Sequence, residues 1–494
     1  MISVDDKGPF PPCPAPFNLA THVLWSNRAN DNKVAMAVLG TDGVSDWTYG
    51  RLREAVLRTA AGLLNSDLKP GDRIFLRLGN TPYFPITFLA AISAGILPVP
   101  VAAGLTDREF AKLCDVISPA ETVGNCDSKM LDPETLALAD PLDAPVVGDP
   151  ERPAYIVFTS GTLGRAMGVV HAHRAIWARQ AMHSGWYDIR PTDRLLHAGA
   201  FNWTYTLGTG LFDPWSVGAT ALVAAEDTDP SHLPILMQQH DATLFAAAPG
   251  VFRRLLRSEI PTLPKLRHAF SAGEKLPETL RTRWKALTGK EIYEAFGQSE
   301  CSTFISSSPD HPAPVGAIGS AQPGRRIAVL GPNGPVPREK PGEIAISADD
   351  PGVMLGYFEA PDATAARHRD GWFLTGDTGQ MSIDGAITYL GRRDDILTAG
   401  GYRISPLDIE DAMMKHPKVE DAAAVDEKLD AETTVVALHY ASDDPIETQT
   451  LSSHASEHLA RYKQPRIYHH HNSLPRGRGG KLLRARLRAA TDNL

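Results

Sequence analysis

Apolar residues in the first three quarters of the chain alternate between helical and strand-like spacing. Residues 49–64 carry apolar side chains at helical spacing and lead through a Pro-Gly-Asp turn into a strand-like run at 73–78. The pairing recurs farther on, where strand-like runs at 219–225 and 242–248 flank a helical run at 231–239. Strands that alternate with helices predict a layered α/β architecture.

One long uncharged stretch needs a separate interpretation. Residues 78–106 contain no charged side chain and are numerous enough to span a bilayer. Glycine, asparagine and proline residues interrupt the stretch, which disfavours a continuous membrane helix. We therefore predict a buried helix over about 86–94, followed by a buried strand over about 96–101.

The pattern changes near residue 331 and again near residue 392. Between 331 and 390, short strand-like runs alternate with turns rich in Gly, Pro and Asn, which is typical of β-hairpins. A charged run follows, and then a new α+β pattern with its own helix at 406–415, opened by Ser405. We predict a large N-terminal domain, 1–392, of layered α/β sheets plus a β-rich subdomain, and a small α+β C-terminal domain, 393–494.

Composition narrows the class of protein. The 494 residues exceed what one hydrophobic core usually serves, and 43% hydrophobic and 22% charged residues are typical of a folded globular chain. Lys plus Arg number 49 against 58 for Asp plus Glu, giving a formal charge of -9. This balance disfavours a nucleic-acid partner or an anionic membrane surface, and leaves local basic sites for small anions open. We expect no integral membrane segment.

Cysteine usage and the N-terminal sequence bear on location. The four cysteines stand far apart, with no C-x-x-C and no nearby histidines at zinc spacing, so they suggest neither a disulfide framework nor a zinc site. The first residues contain acids and prolines where a secretory signal needs bases and an apolar run. We expect a cytoplasmic protein in a reducing compartment, and a homodimer is compatible with the sequence.

A loop rich in hydroxyl groups and glycine follows a strand-like run at 155–158. Residues 159–168 read Thr-Ser-Gly-Thr-Leu-Gly-Arg-Ala-Met-Gly, and such a loop can turn backbone N–H groups toward phosphate oxygens. The Walker spacing G-x-x-x-x-G-K-[ST] is absent, so a P-loop fold is not indicated. On these residues alone, a triphosphate loop and an ordinary turn remain equally open.

Together with later motifs, this loop resembles that of the adenylate-forming enzymes, which include acyl-CoA synthetases, peptide-synthetase adenylation domains and luciferases. Their loop reads T-S-G-T-T-G-x-P-K-G-V, and this chain departs from it at Leu163, Ala166 and Met167. Further segments similar to family motifs follow in the family's order: Tyr293-Glu-Ala-Phe-Gly-Gln-Ser-Glu300, Gly371-Trp-Phe-Leu-Thr-Gly-Asp377, Gly391-Arg-Arg-Asp-Asp-Ile396, Gly400-Gly-Tyr-Arg-Ile-Ser-Pro406 and Leu474-Pro-Arg-Gly-Arg-Gly-Gly-Lys481. The resemblance covers the chain from about Trp47 onward, and ordered, separated motifs are hard to obtain by chance.

The resemblance implies an AMP-forming acyl-CoA ligase. Such an enzyme uses ATP and magnesium to convert a carboxylic acid to acyl-AMP with release of pyrophosphate, and coenzyme A then takes the acyl group as a thioester. The sequence is most similar in character to short-chain, medium-chain and aryl acyl-CoA synthetases, and we expect no carrier domain because the chain stops soon after Lys481. Two alternatives stay open: an enzyme that loads a separate carrier protein, and a catalytically weakened ligase-like protein that binds acyl-AMP or nucleotide.

The resemblance also implies catalytic and metal-binding residues. Lys481 corresponds to the family's mobile lysine, which bridges the substrate carboxylate and the α-phosphate. Glu300 corresponds to the magnesium-associated carboxylate, and Thr159 is expected to join it at the metal, since a hard cation takes oxygen ligands. The structural alternatives are a solvated basic tail for Lys481 and a helix cap for Glu300.

Nucleotide contacts are implied at further motif positions. Phe296 is expected to lie against the adenine ring, Glu294 to accept from the adenine amino group, and Asp377 with Arg392 to hold the ribose hydroxyls. The full predicted ATP- and AMP-binding set is Thr159, Ser160, Gly161, Thr162, Gly164, Gly273, Glu274, Glu294, Phe296, Gly297, Ser299, Asp377 and Arg392.

Motif positions near the predicted domain boundary imply a conformational change. Asp394 occupies the family's hinge position, about which the small mobile C-terminal domain turns between the two half-reactions. After the turn, Gly400 and Gly401 are expected to line a narrow channel for the pantetheine of coenzyme A, because glycine leaves the channel free of side chains. Without the resemblance, a Gly-Gly pair is equally a bulge or a turn.

The acyl pocket is predicted from an aromatic cluster. Phe201, Trp203 and Tyr205 lie in a segment rich in small residues, which suits a hydrophobic cavity for the acyl group. Ordinary core packing is the alternative for all three.

Met167 is the main departure from the family pattern. The family has a lysine here that reaches the outer phosphates of ATP, and methionine carries no charge. Three readings stay open: Arg165 substitutes for the lysine, the pyrophosphate contacts are weakened, or the chain is an altered form of the family.

Overall fold

A computed structural model describes residues 1–27, 29–40, 43–124, 130–160, 166–225, 228–392, 397–399, 402–428, 434–477 and 482–491. Its strands, in chain order, are β1 (Val4–Asp6), β2 (Val34–Gly40), β3 (Gly43–Thr48), β4 (Arg73–Arg77), β5 (Leu97–Pro100), β6 (Glu121–Gly124), β7 (Pro153–Ser160), β8 (Ala166–Ala172), β9 (Arg194–Ala198), β10 (Thr220–Ala224), β11 (Leu244–Ala247), β12 (His268–Ala272), β13 (Ile292–Gln298), β14 (Ser302–Ser306), β15 (Ser320–Ala321), β16 (Arg326–Gly331), β17 (Gly334–Pro335), β18 (Pro341–Ser347), β19 (Gly356–Tyr357), β20 (His368–Arg369), β21 (Trp372–Met381), β22 (Ile387–Arg392), β23 (Leu397–Ala399), β24 (Tyr402–Ile404), β25 (Asp421–Lys428), β26 (Thr434–Ala441) and β27 (Ile467–His471).

The α-helices, in chain order, are α1 (Leu19–Leu24), α2 (Tyr49–Asn65), α3 (Tyr83–Ser93), α4 (Asp107–Ile117), α5 (Pro133–Leu136), α6 (Arg174–Ala178), α7 (Asp213–Ser216), α8 (Leu233–Gln239), α9 (Pro249–Leu255), α10 (Glu278–Thr288), α11 (Pro361–Ala365), α12 (Pro406–Met413), α13 (Thr448–His458) and α14 (Arg484–Thr491). Two π-helical segments, His183–Tyr187 and Thr206–Phe212, and two 3₁₀ turns, Pro230–His232 and Arg461–Lys463, complete the helical structure of the described residues.

The largest sheet has nine strands in the order β15-β14-β13-β12-β11-β9-β10-β2-β3. Its central pairs, from β2 through β10, β9, β11 and β12 to β13, are parallel. Strand β11 is buried on both faces: Phe245 packs in a cluster with Trp284, and Leu244 in another with Trp186. This explains its continuous apolar run and confirms the predicted layered α/β architecture. The carboxyl ends of parallel strands meet at one edge, where α/β sheets bind ligands.

The uncharged stretch folds into a buried helix and strand, as predicted. Helix α3 begins three residues before the predicted start, because a proline is tolerated in the first helical turn and Pro85 lies there. Nearly all of its side chains are buried, and β5 follows. Of the helices that the structure describes, none combines the length and apolar character that crossing a membrane requires.

The predicted hairpin region forms a seven-stranded sheet. Strands β1, β16, β18, β21 and β20 are neighbours in that order, with β17 paired to β16 and β22 paired to β21. The pairs are antiparallel, and Ile327 and Ile344 lie in the hydrophobic cluster beneath the sheet. A smaller sheet, β19-β8-β7, presents the predicted phosphate loop.

The C-terminal region has its own sheet, β25-β26-β27, and its own core. Leu438 packs with residues of α12 and α13 on one face, and Ala437 packs with Leu487 of α14 on the other. The predicted helix is α12, but the Ser405 hydroxyl does not cap it; that hydroxyl donates to the backbone oxygen of Leu390, 2.7 Å away, and ties α12 to β22. The boundary after residue 392 stays a prediction.

Candidate active site

A tight hairpin between β13 and β14 carries the segment 296–302 at the edge of the large sheet. The pairing register shifts between Phe296 and Gly297, and a Cβ on Gly297 would lie 2.0 Å from the backbone oxygen of Ser302. Only glycine fits there, so the hairpin geometry depends on this position. The Phe296 ring is half-buried and lies 5.6 Å, between ring centroids, from that of Tyr389 on β22.

Gln298 joins this hairpin to the β-rich sheet. Its side-chain amide donates to the backbone oxygen of Thr375, 2.7 Å away, and to the carboxylate of Asp377. Asp377 is buried on β21, accepts from the Tyr389 hydroxyl at 3.0 Å, and lies opposite Arg392 in the β21–β22 ladder. The Arg392 Nε is 3.7 Å from the Asp377 carboxylate. The structure therefore brings the predicted adenine motif beside the two predicted ribose residues.

Gly273, directly after β12, contacts Trp203. Its φ of +95° lies in the left-handed region, and a Cβ there would come within 2.7 Å of the Trp203 ring. Gly273, a predicted nucleotide-binding residue, and Trp203, a predicted acyl-pocket residue, are thus in direct contact.

The other two predicted pocket residues lie in hydrophobic clusters. Phe201 is buried and packs against Phe84, with ring centroids 5.5 Å apart. Tyr205 is buried against Trp186, with centroids 5.8 Å apart. Both rings therefore pack in the hydrophobic core, which was the alternative to a pocket. Their role in an acyl pocket stays a prediction.

Glu294 is committed to contacts within the protein. Its carboxylate accepts from the backbone N–H of Leu276 at 2.8 Å and from Arg281 at 2.9 Å. Burial raises its pKa to about 7, against the lowering effect of Arg281. Glu294 thereby supports the loop after Gly273, and because a carboxylate oxygen can accept a second hydrogen bond, its bond with adenine stays a prediction.

Glu300, at the tip of the hairpin, is buried beside Tyr357. The Tyr357 hydroxyl donates to Glu300 Oε1 at 2.8 Å, and Arg367 Nε lies 3.2 Å from the same hydroxyl. Burial and the neighbouring Glu300 raise the pKa of Tyr357 well above its usual range, so this hydroxyl keeps its proton. No hydrogen bond from the described residues reaches Glu300 Oε2. Carboxylate oxygens are ligands that magnesium prefers, so Glu300 Oε2 could bind this ion.

The predicted phosphate loop connects β7 and β8. Thr159 pairs with Met167 and Ser160 with Ala166 at the ends of these strands. Met167 is partly buried against the cluster that contains Val157. Gly161, Thr162 and Gly164 lie outside the described residues, so their phosphate contacts stay predictions.

A buried histidine fixes the backbone next to Glu300. The Nε2 of His171, on β8, is 2.7 Å from the backbone oxygen of Ser299 and therefore carries the proton in that bond. Burial lowers the pKa of His171 to about 4, so the ring is neutral at pH 7. The ring stacks on Tyr155, with centroids 4.9 Å apart. Sequence reasoning missed His171, because a single histidine in a strand gives no signal of its partner.

Sequence reasoning also missed a buried ion pair behind the hairpin. Arg179 binds Asp213 through Nε at 2.9 Å and Nη2 at 2.5 Å, and its Nη1 donates to the Ser302 hydroxyl at 2.6 Å. Although burial alone would lower the pKa of Arg179, Asp213 raises it above its usual range. A Cβ on Gly208 would clash with the guanidinium, so the π-helical segment packs directly on it. Through its bond to the Ser302 hydroxyl, Arg179 fixes this end of the hairpin.

A small cavity lies between this ion pair and the hairpin. Its lining includes Tyr155, Thr204, Leu207 and Ser299. The Arg179 guanidinium also lines it, and its volume of about 30 Å³ has room for one or two water molecules. A cavity of this size does not hold an acyl group, so the acyl pocket stays a prediction.

Ion pairs connect the C-terminal region to the loop after Gly273. Arg476, in the last motif, contacts Glu274 at 3.2 Å and Asp421 at 2.8 Å, while Lys275 contacts Asp411 at 2.9 Å. The start of the Leu474–Lys481 motif therefore lies beside the predicted nucleotide site. Other predicted residues of this region lie outside the described residues, and their roles stay predictions: Asp394, Gly400, Gly401 and Lys481.

Comparisons with known proteins agree with this arrangement. The model of the AMP-binding enzyme family matches residues 24–358, and that of the AMP-binding enzyme C-terminal domain matches residues 408–481. A 3-hydroxybenzoate–CoA ligase of Aromatoleum sp. is 29% identical over 96% of each chain. A 4-hydroxybenzoate–CoA/benzoate–CoA ligase of Rhodopseudomonas palustris is 30% identical over 96% of this chain and 94% of its own.

A solved structure shows the same fold. The benzoate CoA ligase from Burkholderia xenovorans LB400 superposes with a TM-score of 0.87 and 25% identity, covering 96% of this chain and all of that one. The match confirms the predicted fold class, and the family models confirm the resemblance drawn from the motifs. The chain belongs to the AMP-binding enzyme family.

Proposed function

We propose that the protein is an AMP-forming acyl-CoA ligase that activates a small carboxylic acid with ATP and transfers the acyl group to coenzyme A. The observation that carries the proposal is the bond from Gln298 to Asp377, because it joins the adenine motif to the ribose motif in one site. The family match over most of the chain and the named ligases among its relatives support the same activity.

Adenylation requires positive charge near the phosphates of ATP. Attack of a carboxylate on the α-phosphorus brings two anions together, so cations and N–H donors must neutralise charge on the phosphoryl oxygens. We assign the bridging cation to Lys481. The contact of Arg476 with Glu274 supports this, since it holds the beginning of the same motif beside Gly273.

Adenine and ribose contacts are assigned to residues that the structure places together. Phe296 presents a half-buried ring for the adenine, and Asp377 with Arg392 lies next to it for the ribose hydroxyls. A carboxylate that accepts from two adjacent hydroxyls is a common nucleotide-binding device.

Magnesium is assigned to Glu300, with Thr159 as the second protein ligand. Tyr357 orients the carboxylate through Oε1, and Oε2 would be available to hold the cation. When bound, the cation neutralises phosphate charge during adenylation. Tyr357 orients the Glu300 carboxylate, and burial of Glu300 limits its contact with water.

The acid is assigned to the aryl or short-to-medium-chain class. The two curated relatives above are named for benzoate and hydroxybenzoates. The contact of Trp203 with Gly273 supports an acyl site next to the predicted nucleotide site.

The remaining sequence predictions complete the proposal. We keep a domain boundary after residue 392, a hinge at Asp394, and a coenzyme A channel at Gly400 and Gly401. A cytoplasmic location and a homodimer also stay predictions. The described cysteines are free thiols, which agrees with a reducing compartment.

A pyrophosphate-release assay with ATP, magnesium and a panel of carboxylic acids tests the proposal. We expect release with benzoate-like acids, and thioester formation when coenzyme A is added. Asp377→Ala should abolish most of the activity. Asp384→Ala, an exposed residue in the turn between the same two strands, serves as the matched control and should retain it.

The alternatives predict different results. Pyrophosphate release that yields a thioester only with a carrier protein would favour the carrier-loading enzyme. Nucleotide binding without pyrophosphate release for any acid would refute the ligase and favour a ligase-like binding protein, a reading that rests on Met167.

A further inference from the structure

Imidazole and carboxylate side chains converge on one face of the C-terminal sheet. His439 on β26 lies opposite His469 on the parallel neighbour β27, and Glu427 comes from β25 on the other side. Side chains alternate between the faces of a strand, so His471 shares the face of His469 while His470 points to the opposite face. Three strands thus contribute to one cluster, defined here as Glu427, His439, His469 and His471.

The distances within this cluster are short. His469 Nε2 is 2.8 Å from Glu427 Oε2, and the rings of His439 and His469 stack with centroids 4.5 Å apart. One candidate ligand atom from each of Glu427, His439 and His469 lies within 4.8 Å of the other two. Ligands about 2.1 Å from a tetrahedral metal ion lie about 3.4 Å from one another, so binding requires movements of up to about 1.5 Å, including separation of His469 from Glu427.

His439 has an unsatisfied nitrogen inside the cluster. The residue is 2% exposed, and its Nε2 has no hydrogen-bond partner. Its Nδ1 lies 2.8 Å from His471 Nε2. When Nδ1–H donates to His471, the lone pair of His439 is on the unpaired Nε2, which is how histidine ligands of metals are usually held. A buried nitrogen without a partner otherwise costs stability, so a bound cation would explain it.

We propose that Glu427, His439 and His469 bind a divalent transition-metal ion of the zinc class, with His471 as the positioning residue for His439. Two imidazoles and a carboxylate are a ligand set that zinc accepts and that magnesium and calcium do not favour. The site is separate from the magnesium assigned to Glu300 and Thr159. Cysteine spacing could not reveal it, because its ligands are distant in sequence and meet only through strand pairing.

Such an ion would link the three strands of the C-terminal sheet. Metal that binds the folded chain and not the unfolded one stabilises the fold by mass action. The expected effect is therefore on metal content and on the thermal stability of this region, and it is independent of the proposed ligase chemistry.

Zinc binding by the full-length chain tests the proposal. Protein freed of metal with a chelator is titrated with zinc chloride in the presence of magnesium, and bound zinc is measured calorimetrically and by elemental analysis. We expect one equivalent per chain, and visible absorption bands when cobalt replaces zinc. Absence of bound zinc from the unmodified protein would overturn the proposal.

Variants locate the ion. His439→Ala and His469→Ala should lose zinc binding, and His471→Asn should weaken it about 10- to 100-fold while cobalt keeps its spectrum. The matched control is His470→Ala, on the same strand, whose ring faces Tyr440 and whose Nε2 lies 3.0 Å from the Ser442 backbone oxygen. It should bind zinc like the unmodified chain.

Glu427→Gln keeps the proposal testable if removal of the buried His439 prevents folding, because it preserves side-chain size and removes the anionic ligand. We expect weaker zinc binding with unchanged circular dichroism. Undiminished binding in Glu427→Gln and His469→Ala, or an equal loss in His470→Ala, would place the ion elsewhere and overturn the assignment.

Discussion

The ion pair between Arg476 and Glu274 should favour the adenylation step. Arg476 Nη1 lies 3.2 Å from Glu274 Oε2, and both side chains are 21% exposed. Exposed ion pairs contribute about 0–1 kcal/mol, and breaking a fully buried one costs about 3–5 kcal/mol. For this intermediate burial we expect a coupling of about 1–2 kcal/mol, which corresponds to about a 5- to 30-fold change in an equilibrium.

We expect the pair to act on the position of the C-terminal motif. It links Arg476, five residues before Lys481, to the loop after Gly273, so its loss should depopulate the arrangement in which Lys481 reaches ATP. Arg476→Met and Glu274→Gln should each slow pyrophosphate release. Thioester formation from supplied acyl-AMP should change little, because the proposed role of Lys481 is confined to adenylation.

A double-mutant cycle isolates the pair from the other contacts of Arg476, which include Asp421. Single-turnover pyrophosphate release is measured for both single variants and the double variant. Arg257→Met is the matched control: Arg257 also pairs with a C-terminal residue, Glu420, but is 59% exposed, so its loss should cost less than about 1 kcal/mol. A coupling near zero, or equal slowing of both half-reactions, would refute the reasoning.

Four other perturbations test separate parts of the site. Lys481→Ala should lose most adenylation yet convert supplied acyl-AMP and coenzyme A to thioester; equal loss of both steps would contradict its assignment. Met167→Lys, opposite Thr159 in the ladder, should speed adenylation about ten- to a hundredfold, since a charge-assisted phosphate contact contributes about 1.5–3 kcal/mol; an unchanged or slower rate would require a different phosphate site. Trp203→Ala should shift preference in a substrate panel toward bulkier acids, whereas a preference of the unmodified protein for palmitate-length chains would contradict the pocket. Asp213→Ala should lower the free energy of unfolding in urea by about 3–5 kcal/mol, because it leaves the Arg179 charge buried and unpaired; a loss below about 1 kcal/mol would contradict the buried pair.

Local patterns predicted much of the fold and the positions of the site motifs. Helix α2 and strand β4 could be predicted from apolar spacing alone. Helix α2 buries one apolar face, and β4 buries a continuous run of apolar residues. The resemblance also identified Asp377 and Arg392, which the structure places opposite each other. Motif positions were predictable because their residue types and spacing are set by a short stretch of chain.

Side-chain partners were not predictable in this way. Glu294 matched a motif position, but only the structure revealed its hydrogen bonds with Leu276 and Arg281. Ser405 looked like a helix cap, yet its hydroxyl bonds to Leu390. In each case the competing donor or acceptor comes from another element, so the chain sequence near the residue does not specify it.

The family, the layered architecture and the order of the motifs could all be predicted from the amino-acid sequence. The folded chain was needed to show that His171 holds Ser299, that Gln298 bonds to Asp377, and that histidines of β26 and β27 meet Glu427. The physical reason is that hydrogen bonds and ligand sets need contacts within a few ångströms, and strand pairing creates those contacts between residues far apart in sequence.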